Sequence, residues 1–332
     1  MKARLNFLGG MRKKFGSVIF LTIILSLFSS VNFKLSAAGG VVGSHAVYDS
    51  EQTIDATFDN VNFNWYRDGI VLGAEDVTFA NPFPIGSRGI YLNGLDLNSN
   101  RLTFSSDLYL GDETLIEGPG SLSADGIHCL ILNGDVKLSE DNINIASGLR
   151  INGGGNILDF NGIGITVEAG QALTLKNIVL RRFTGAAIGM GAGSSLHLEN
   201  VVIELTGNSS FNTGSLSIRG NVIVKGSGYS FTLGADTAGL TFEADSILHF
   251  DVGTTFDVNK NIFAGNATSA LHFNGCTVDV VGAGLTVDTG LVLFENKVTI
   301  QGANTFDAAA ADIRVLSGAR VVLDTDAVFK VN

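Results

Sequence analysis

The sequence is poor in proline, methionine, cysteine and charge. Its 332 residues include 3 Pro, 3 Met and 2 Cys, and only 16% are Asp, Glu, Lys or Arg. So small a charged fraction excludes many long surface helices, which need Glu, Lys and Arg on their outer faces. Two cysteines in a chain of this length exclude a disulfide framework. What abounds is hydrophobic residues at 45%, with 22 Phe and 42 Gly, a composition typical of many short strands joined by tight turns.

The first 38 residues have the order of a secretory signal peptide. A basic cluster at Arg12 to Lys14 precedes the apolar run Val18 to Phe28, and Ser36-Ala37-Ala38 supplies small residues for cleavage. The run is shorter than the about 20 residues that span a bilayer. We expect cleavage after Ala38, with Met11 as an alternative start and a signal anchor as the competing interpretation. The chain is thus predicted to be exported to the medium, cell surface or periplasm, with membrane contact only through this segment.

The remaining chain is strongly acidic. Residues 1–38 hold 6 of the 21 Lys and Arg and no acid, so 21 − 6 = 15 bases face 32 acids, a net charge of −17. Such a charge repels phosphates of nucleic acids and anionic membrane surfaces. We therefore predict no nucleic-acid partner.

A strand-turn-strand unit recurs along the chain. In one copy, Leu173 and Leu175 precede the turn Lys176-Asn177, and Ile178 and Leu180 follow it. Further copies enclose Glu199-Asn200, Asn93-Gly94, Asn274-Gly275 and, more weakly, Asp59-Asn60, and three-residue turns join Leu132 to Val136 and Ile218 to Val222. Alternating apolar residues predict strands with one buried face. Asn or Gly at the second turn position predicts a left-handed backbone there.

The spacing of these units predicts a solenoid. Steps of 19, 24, 23, 20 and 24 residues separate Leu130, Leu149, Leu173, Leu196, Leu216 and Leu240. A rung of this size cannot bury its own apolar row, so rungs must stack at about 4.8 Å. The fold class predicted is all-β, a right-handed single-stranded parallel β-helix with rungs of about 20–24 residues. Longer steps, from Leu92 to Leu132 and from Leu240 to Leu271, predict an irregular rung or a protruding loop.

The stretch GGGNILDFNGIGITVEAGQALTLKNIVLRRFTG, residues 153–185, resembles a coil of the pectin-lyase-like right-handed β-helix superfamily. The resemblance extends over roughly residues 50–330 and implies a ladder of turn asparagines, Asn60, Asn177 and Asn200, with Gly94 and Gly275 as departures. The domains predicted are a signal peptide at 1–38, an N-terminal cap with the first rungs at 39–89, and the parallel β-helix at 90–332. Leucine-rich repeats share the period but need a signature and a helix that are missing. A β-sandwich, or several small β domains, is the alternative.

The catalytic motifs that the superfamily implies are missing. Its polygalacturonase branch would bring Asp-Asp, Gly-His-Gly and Arg-Ile-Lys, none of which occurs. Its pectate-lyase branch would bring an acidic calcium cluster beside an arginine, for which Arg181-Arg182 is the one suggestive pair; we expect a solvated strand end there. Asp324 and Asp326 are the acids expected to share a strand face, where a calcium site is the alternative to a solvated last rung.

Other conspicuous residues also have structural interpretations. His197 and His272 occupy the same motif position, so both are expected to face outward without binding zinc. Trp65-Tyr66 is the one dense aromatic spot and is expected to close the N-terminal end, with ligand docking as the alternative. Cys129 and Cys276 are expected to be unpaired, several rungs apart where a disulfide needs Cα atoms within about 7 Å. The phenylalanines predicted to stack in the core are Phe58, Phe79, Phe104, Phe242, Phe250, Phe273 and Phe294.

The sequence therefore predicts no catalytic, cofactor-binding or metal-binding residue. It favours an exported β-helix with a structural, adhesive or interaction role, whose partner is a carbohydrate or a host or cell-surface protein. Open strand edges at Val328 to Asn332 predict self-association there. The alternative is a divergent polysaccharide lyase or glycoside hydrolase. A passenger segment of a larger secretion system, or ice binding through a Thr-x-Thr array that the sequence lacks, is less favoured.

Overall fold

A computed structural model describes strands within residues 39–80 and nearly all of residues 90–331, apart from 105–106, 125, 186, 235–238 and 260–264. Side chains are described from Leu92 onward. The predicted signal segment at 1–38 and the turn residue Asn60 lie outside the described residues. No helix in the described part of the chain is long and apolar enough to cross a membrane.

The described residues form strands and turns without any helix. The first half of the chain contains β1 (Gly39–Val42), β2 (His45–Tyr48), β3 (Gln52–Ile54), β4 (Phe58–Asp59), β5 (Asn64–Tyr66), β6 (Ile70–Leu72), β7 (Val77–Ala80), β8 (Ile90–Asp96), β9 (Arg101–Phe104), β10 (Leu108–Glu117), β11 (Gly120–Ala124), β12 (Cys129–Leu132), β13 (Val136–Ser139), β14 (Ile143–Ile145), β15 (Leu149–Asn152), β16 (Ile157–Asp159) and β17 (Ile165–Val167). The second half contains β18 (Ala172–Gly185), β19 (Ile188–Met190), β20 (Ser195–Phe211), β21 (Ser215–Arg219), β22 (Asn221–Lys225), β23 (Ser230–Leu233), β24 (Gly239–Phe242), β25 (Ile247–Phe250), β26 (Thr255–Val258), β27 (Ala270–Asn274), β28 (Thr277–Val280), β29 (Leu285–Thr286), β30 (Leu291–Glu295), β31 (Lys297–Gln301), β32 (Thr305–Asp307), β33 (Asp312–Val315), β34 (Arg320–Leu323) and β35 (Val328–Lys330).

The strands stack in parallel across successive turns, which confirms the predicted solenoid. Only the first pair, β1 with β2, is antiparallel in the described part of the chain. Stack A runs through β12, β15, β18, β20, β21 and β24. Stack B runs through β13, β16, the middle of β18 and β20, β22, β25, β27, β30 and β33. Stack C joins the end of β20 to β23, β26, β28, β31 and β34.

Two shorter stacks complete the cross-section at the two ends of the solenoid. Stack D, seven strands from β4 to β19, ends at Met190, and stack E, comprising β29, β32 and β35, begins at Leu285. Early turns therefore combine stacks A, B and D, whereas late turns combine B, C and E. The strand set that encloses the core thus changes along the axis.

This change of stacks corrects the alignment of the sequence repeats. Leu173 and Leu196 begin units at the corner between stacks A and B, whereas Leu271 pairs with Leu248 in stack B, so its unit turns the next corner. The long step from Leu240 to Leu271 therefore crosses one extra face. The same hydrophobic spacing occurs at both corners. Alternation determines which side chains face the core, but it does not determine which strand lies alongside.

The other long step hides an ordinary turn. Leu108 of β10 pairs with Ile90 and with Leu130, so one full rung lies between them. Its pattern is concealed because Thr114 is fully buried while the adjacent Leu115 is exposed. Thr114 tolerates burial by donating its hydroxyl hydrogen to the carbonyl of Gly111, 2.8 Å away.

Phenylalanines form much of the core in the second half, as predicted. Phe104, Phe242, Phe250, Phe273 and Phe294 are all buried, whereas the side chains of Phe58 and Phe79 lie outside the described part. Ring centroids of consecutive members, in the order Phe160, Phe183, Phe211, Phe231, Phe250, Phe273 and Phe294, lie 5.3 to 6.1 Å apart. Aromatic pairs at such separations add to the free energy gained by burial.

The predicted left-handed turn conformation is confirmed at three turn residues, whereas Gly94 of the predicted Asn93-Gly94 turn lies within strand β8 and is not among the residues with positive φ. Asn177, Asn200 and Gly275 have φ of 49°, 53° and 57°. Asn200 donates from its amide nitrogen to the side-chain oxygen of Asn177 at 3.2 Å, so these two residues form the expected ladder. Gly220 continues the column, and a Cβ there would lie 2.2 Å from Asn200 Oδ1.

Both described cysteines are free thiols, as predicted. Cys276 is buried beside the turn of its unit, and burial raises its pKa to about 12. Such a thiol is inert at neutral pH, because the thiolate is the reactive form.

Candidate functional site

The outer faces of the solenoid are covered with side chains in register. On stack A, Lys176 lies 2.8 Å from Glu199, and Arg219 lies 3.3 Å from Glu243. On stack B, Arg181 lies 3.5 Å from Glu204, and Lys225 lies 3.0 Å from the same carboxylate. Exposed pairs of this kind each add about 0–1 kcal/mol to stability. These ladders give seven charged side chains a structural role.

The outer face of stack C carries a different pattern, a column of hydroxyl groups. Ser230, Thr255, Thr277 and Thr299 occupy paired positions on four successive turns. Each is partly exposed, and the three threonines stand between buried neighbours, whereas Ser230 lies between the exposed Tyr229 and the buried Phe231. Because adjacent parallel strands are about 4.8 Å apart, the hydroxyls repeat at that spacing along the axis. We call these residues, with those of the next column, the stack C array.

The second column of the stack C array lies two residues further along each strand. It contains Thr232, Asp257, Asp279 and Gln301. Thr232 donates to Asp257 Oδ2 at 3.0 Å, and Gln301 donates from Nε2 to Asp279 Oδ2 at 2.8 Å. The stack C array thus pairs a column of hydroxyls with a column that contains two carboxylates.

The two carboxylates of the stack C array are neighbours on adjacent turns. Desolvation raises the pKa of Asp257, hydrogen bonds from Thr232 and Ser230 lower it, and the charge of Asp279 raises it again, with a net rise. A carboxyl group that is half-buried beside a like charge holds its proton more tightly than an isolated one. The pair thus combines a hydrogen-bonded carboxylate with a carboxyl of raised proton affinity.

The two histidines singled out from the sequence lie on different faces. His197 belongs to stack A, between Thr174 and Ser217, whereas His272 belongs to stack B, so their equivalence was wrong. Both face outward, as predicted, but His272 is only 14% exposed and contacts Glu295 Oε2 at 3.1 Å.

The true neighbour of His272 is His249 on the preceding turn. Their ring centroids are 4.3 Å apart, and Asp251 lies 3.9 Å from His249 Nε2. Desolvation and the neighbouring His272 lower the pKa of His249, while Asp251 and Glu295 partly oppose that shift. No group of three or more His, Cys, Asp or Glu side chains is arranged to bind a metal ion in the part of the chain that the structure describes.

The two arginines singled out from the sequence form ion pairs, and their side chains stay exposed to solvent, at 45% for Arg181 and 42% for Arg182. Arg182 donates from Nε and Nη2 to the two carboxylate oxygens of Asp159, at 2.5 and 2.7 Å. These hydrogen bonds raise the pKa of Arg182. Arg182 also has a left-handed backbone, with φ of 54°, which costs a non-glycine residue about 1–2 kcal/mol.

Arg182 lines a pocket of about 260 Å³ on the surface between stacks B and D. The other lining residues are Asn142, Phe160, Gly162, Ile163, Gly164, Thr184, Gly185 and Ala187. Glycine and alanine leave the space open, and the polar groups come from Arg182, Asn142 and Thr184. The sequence pattern indicated only a strand end at Arg182 and not this pocket, although Asp159 lies 23 residues earlier, one rung away.

The remaining predicted features are also placed by the fold. Asp324 and Asp326 flank Thr325 in an exposed turn between β34 and β35 rather than sharing a strand face, so that expectation was wrong. The backbone of Trp65 pairs with that of Tyr91, and Tyr91 pairs with Tyr109. Trp65 is therefore not isolated but is the first of three aromatic residues at paired positions on successive turns. Its side chain lies outside the described part.

The array on stack C has a sequence signal that was overlooked. Thr255-Phe-Asp-Val and Thr277-Val-Asp-Val are nearly identical and lie 22 residues apart.

Comparison with protein-family models, with curated proteins and with solved structures gave no match.

Proposed function

We propose that this chain is an exported, non-enzymatic β-solenoid of the pectin-lyase-like superfamily that acts as an adhesive or interaction scaffold. Its partner is a hydroxyl-rich polysaccharide that lies along the solenoid axis. The stack C array carries this proposal. Four turns present hydroxyl, carboxylate and amide groups in register, and these groups form hydrogen bonds with sugar hydroxyls as both donors and acceptors. A polymer bound along the axis would use the whole array.

A direct binding experiment tests this function. The purified full chain is incubated with a panel of insoluble neutral and acidic polysaccharides, and the bound fraction is measured after sedimentation. Thr277→Lys places a long charged side chain in the middle of the array and is expected to lower retention at least tenfold. The matched control, Thr241→Lys, changes an exposed outward position on stack A and is expected to leave retention unchanged. Equal loss in both variants, or no retention of the unmodified chain, would contradict the proposal.

The carboxylate pair supports a second candidate, a glycoside hydrolase. Retaining glycosidases hold two carboxyl groups about 5–5.5 Å apart, one with a raised pKa. Asp257 and Asp279 occupy paired positions on adjacent turns, and burial raises the pKa of Asp257. Reducing ends released from the same panel, with and without calcium, and lost in Asp257→Asn, would establish hydrolysis. Unsaturated ends would instead indicate a lyase, and retention without new ends supports the scaffold.

A further inference from the structure

The pocket beside Arg182 has features of a small binding site that are separate from the stack C array. Its volume of about 260 Å³ lies just below the roughly 300–1,000 Å³ of pockets for drug-sized ligands. It therefore suits a molecule about as large as one sugar ring. Ile163 supplies an apolar wall, while the guanidinium of Arg182 supplies the only charge among the lining residues.

Asp159 fixes the guanidinium of Arg182 in place. A guanidinium has five N–H donors in a planar fork, and two of them bind Asp159. Three donors are therefore left for a ligand, in an orientation that the ion pair has already set. A planar fork matches the two oxygens of a carboxylate better than any other common anion-binding side chain does.

The other polar lining groups complement hydroxyls. Asn142 Oδ1 accepts a hydrogen bond from the backbone of Gly164 at 2.7 Å, which directs the amide and leaves its nitrogen as a donor. Thr184 adds a hydroxyl that can donate or accept. Glu140 and Asp141 immediately precede Asn142 and are exposed. Their carboxylates would repel a second negative charge on a ligand at the Asn142 end of the pocket.

We propose that this pocket binds a small hydroxylated monocarboxylic acid, whose carboxylate pairs with Arg182 and whose hydroxyl groups contact Asn142 and Thr184. In this arrangement the guanidinium of Arg182 binds the ligand, which gives an arginine at a left-handed backbone position a function. Asparagine holds the same backbone conformation at positions 177 and 200, so the conformation alone does not require a guanidinium.

Calorimetric titration of the full chain with D-gluconate tests the proposal, with D-glucose and inorganic phosphate as comparison probes. D-gluconate is expected to bind at least tenfold more tightly than either. Arg182→Asn keeps a residue that tolerates the left-handed backbone, so it should fold while losing at least tenfold in gluconate affinity. Arg182→Lys keeps the charge without the fork and should lose several-fold.

The matched control is Arg181→Asn, which removes the neighbouring guanidinium that pairs with Glu204 outside the pocket. It should retain gluconate affinity within twofold, and circular dichroism should show the same strand content in all variants. Absence of gluconate binding to the unmodified chain would overturn the proposal. Glucose or phosphate binding as tightly as gluconate, or Arg181→Asn losing as much as Arg182→Asn, would overturn it as well.

Discussion

Asp257 illustrates how a single residue is set by its surroundings. It is flanked in sequence by the buried Phe256 and Val258, so its own side chain must face outward. It is nevertheless half-buried by the neighbouring turns, and both this desolvation and Asp279 raise its pKa. An ionised Asp257 is therefore less favourable in the folded chain than in the unfolded one.

The sign of the pH effect follows from that raised pKa. Its contribution to stability is present below the unfolded pKa of about 3.9 and is lost as the pH rises through the folded pKa. Asp257→Asn keeps an acceptor for Thr232 and is expected to raise the melting temperature at pH 7 but not at pH 3. Differential scanning calorimetry measures both values, with the exposed Asp326→Asn as control. A lower melting temperature for Asp257→Asn at pH 7 would contradict this expectation.

Core phenylalanines carry stability at the same scale. Phe273 is fully buried and contacts the rings of Phe250, Phe256, Phe294 and Phe306. Because turns on both sides pack on this ring, relaxation cannot close the cavity that its removal would leave.

Phe273→Ala is expected to lower the free energy of unfolding by about 3–5 kcal/mol, measured by urea denaturation. The control is Leu293→Ala, an outward, partly exposed residue of the next turn. We expect about 1 kcal/mol or less there. Similar losses for the two variants would show that the core is not the main source of stability in these turns.

At the scale of strands, β25 and β27 create a histidine pair. His249 and His272 lie 23 residues apart and are paired across the two strands, and Ile223 and Leu293 occupy the flanking turns. Protonation would place positive charge between the apolar Ile223 and Leu293, in a row that continues to the guanidinium-bearing Arg314 on the following turn. Asp251 and Glu295 offset this only in part, because desolvation and the second ring lower the pKa of His249.

A lowered histidine pKa gives stability that is present above the unfolded pKa and lost as the pH falls. The pKa of histidine in the unfolded chain is about 6.5. The melting temperature of the unmodified chain is therefore expected to fall as the pH falls below that value. His249→Ile, which matches Ile223 on the preceding turn, should lose less between pH 7 and pH 5. His197→Ile on stack A is the control, and an equal loss in the two variants would exclude the histidine pair as the cause.

At the scale of the whole molecule, the last described turn leaves a broad apolar surface. Val315, Leu323 and Val328 of β33 to β35 are each close to half exposed, and these strands pair with the preceding turn only, within the described residues. Self-association through this end stays a proposal. Its basis is the tendency of an unpaired strand edge to add another strand.

Sedimentation velocity of the full chain tests this proposal over a range of concentrations. Leu323→Lys combined with Val328→Lys is expected to shift the protein toward the monomer, because two charges on the edge would have to be desolvated. Ile127→Lys, at an apolar residue that is 73% exposed elsewhere, is the control and should not shift it. A strict monomer for the unmodified chain would contradict the proposal.

The sequence by itself determined the local structure of this protein. Alternation around Asn177 and Asn200 predicted strands and a left-handed turn, because the two-residue period of a strand and the tolerance of asparagine for positive φ are local properties of the chain. The rung length followed from the same spacing. Export also rests on the sequence alone, in residues 1–38, and stays a prediction.

Only the tertiary structure decided which side chains meet. Asp159 with Arg182, His249 with His272, and Asp257 with Asp279 are each separated by 22 or 23 residues, one turn of the solenoid. A match in spacing was not sufficient, because stacks C and E replace A and D along the axis. Leu271 therefore resembled Leu173 in pattern while lying on another face. The physical reason is that hydrophobic alternation determines which side chains face the core. The stacking of whole turns determines which side chains on adjacent turns come into contact.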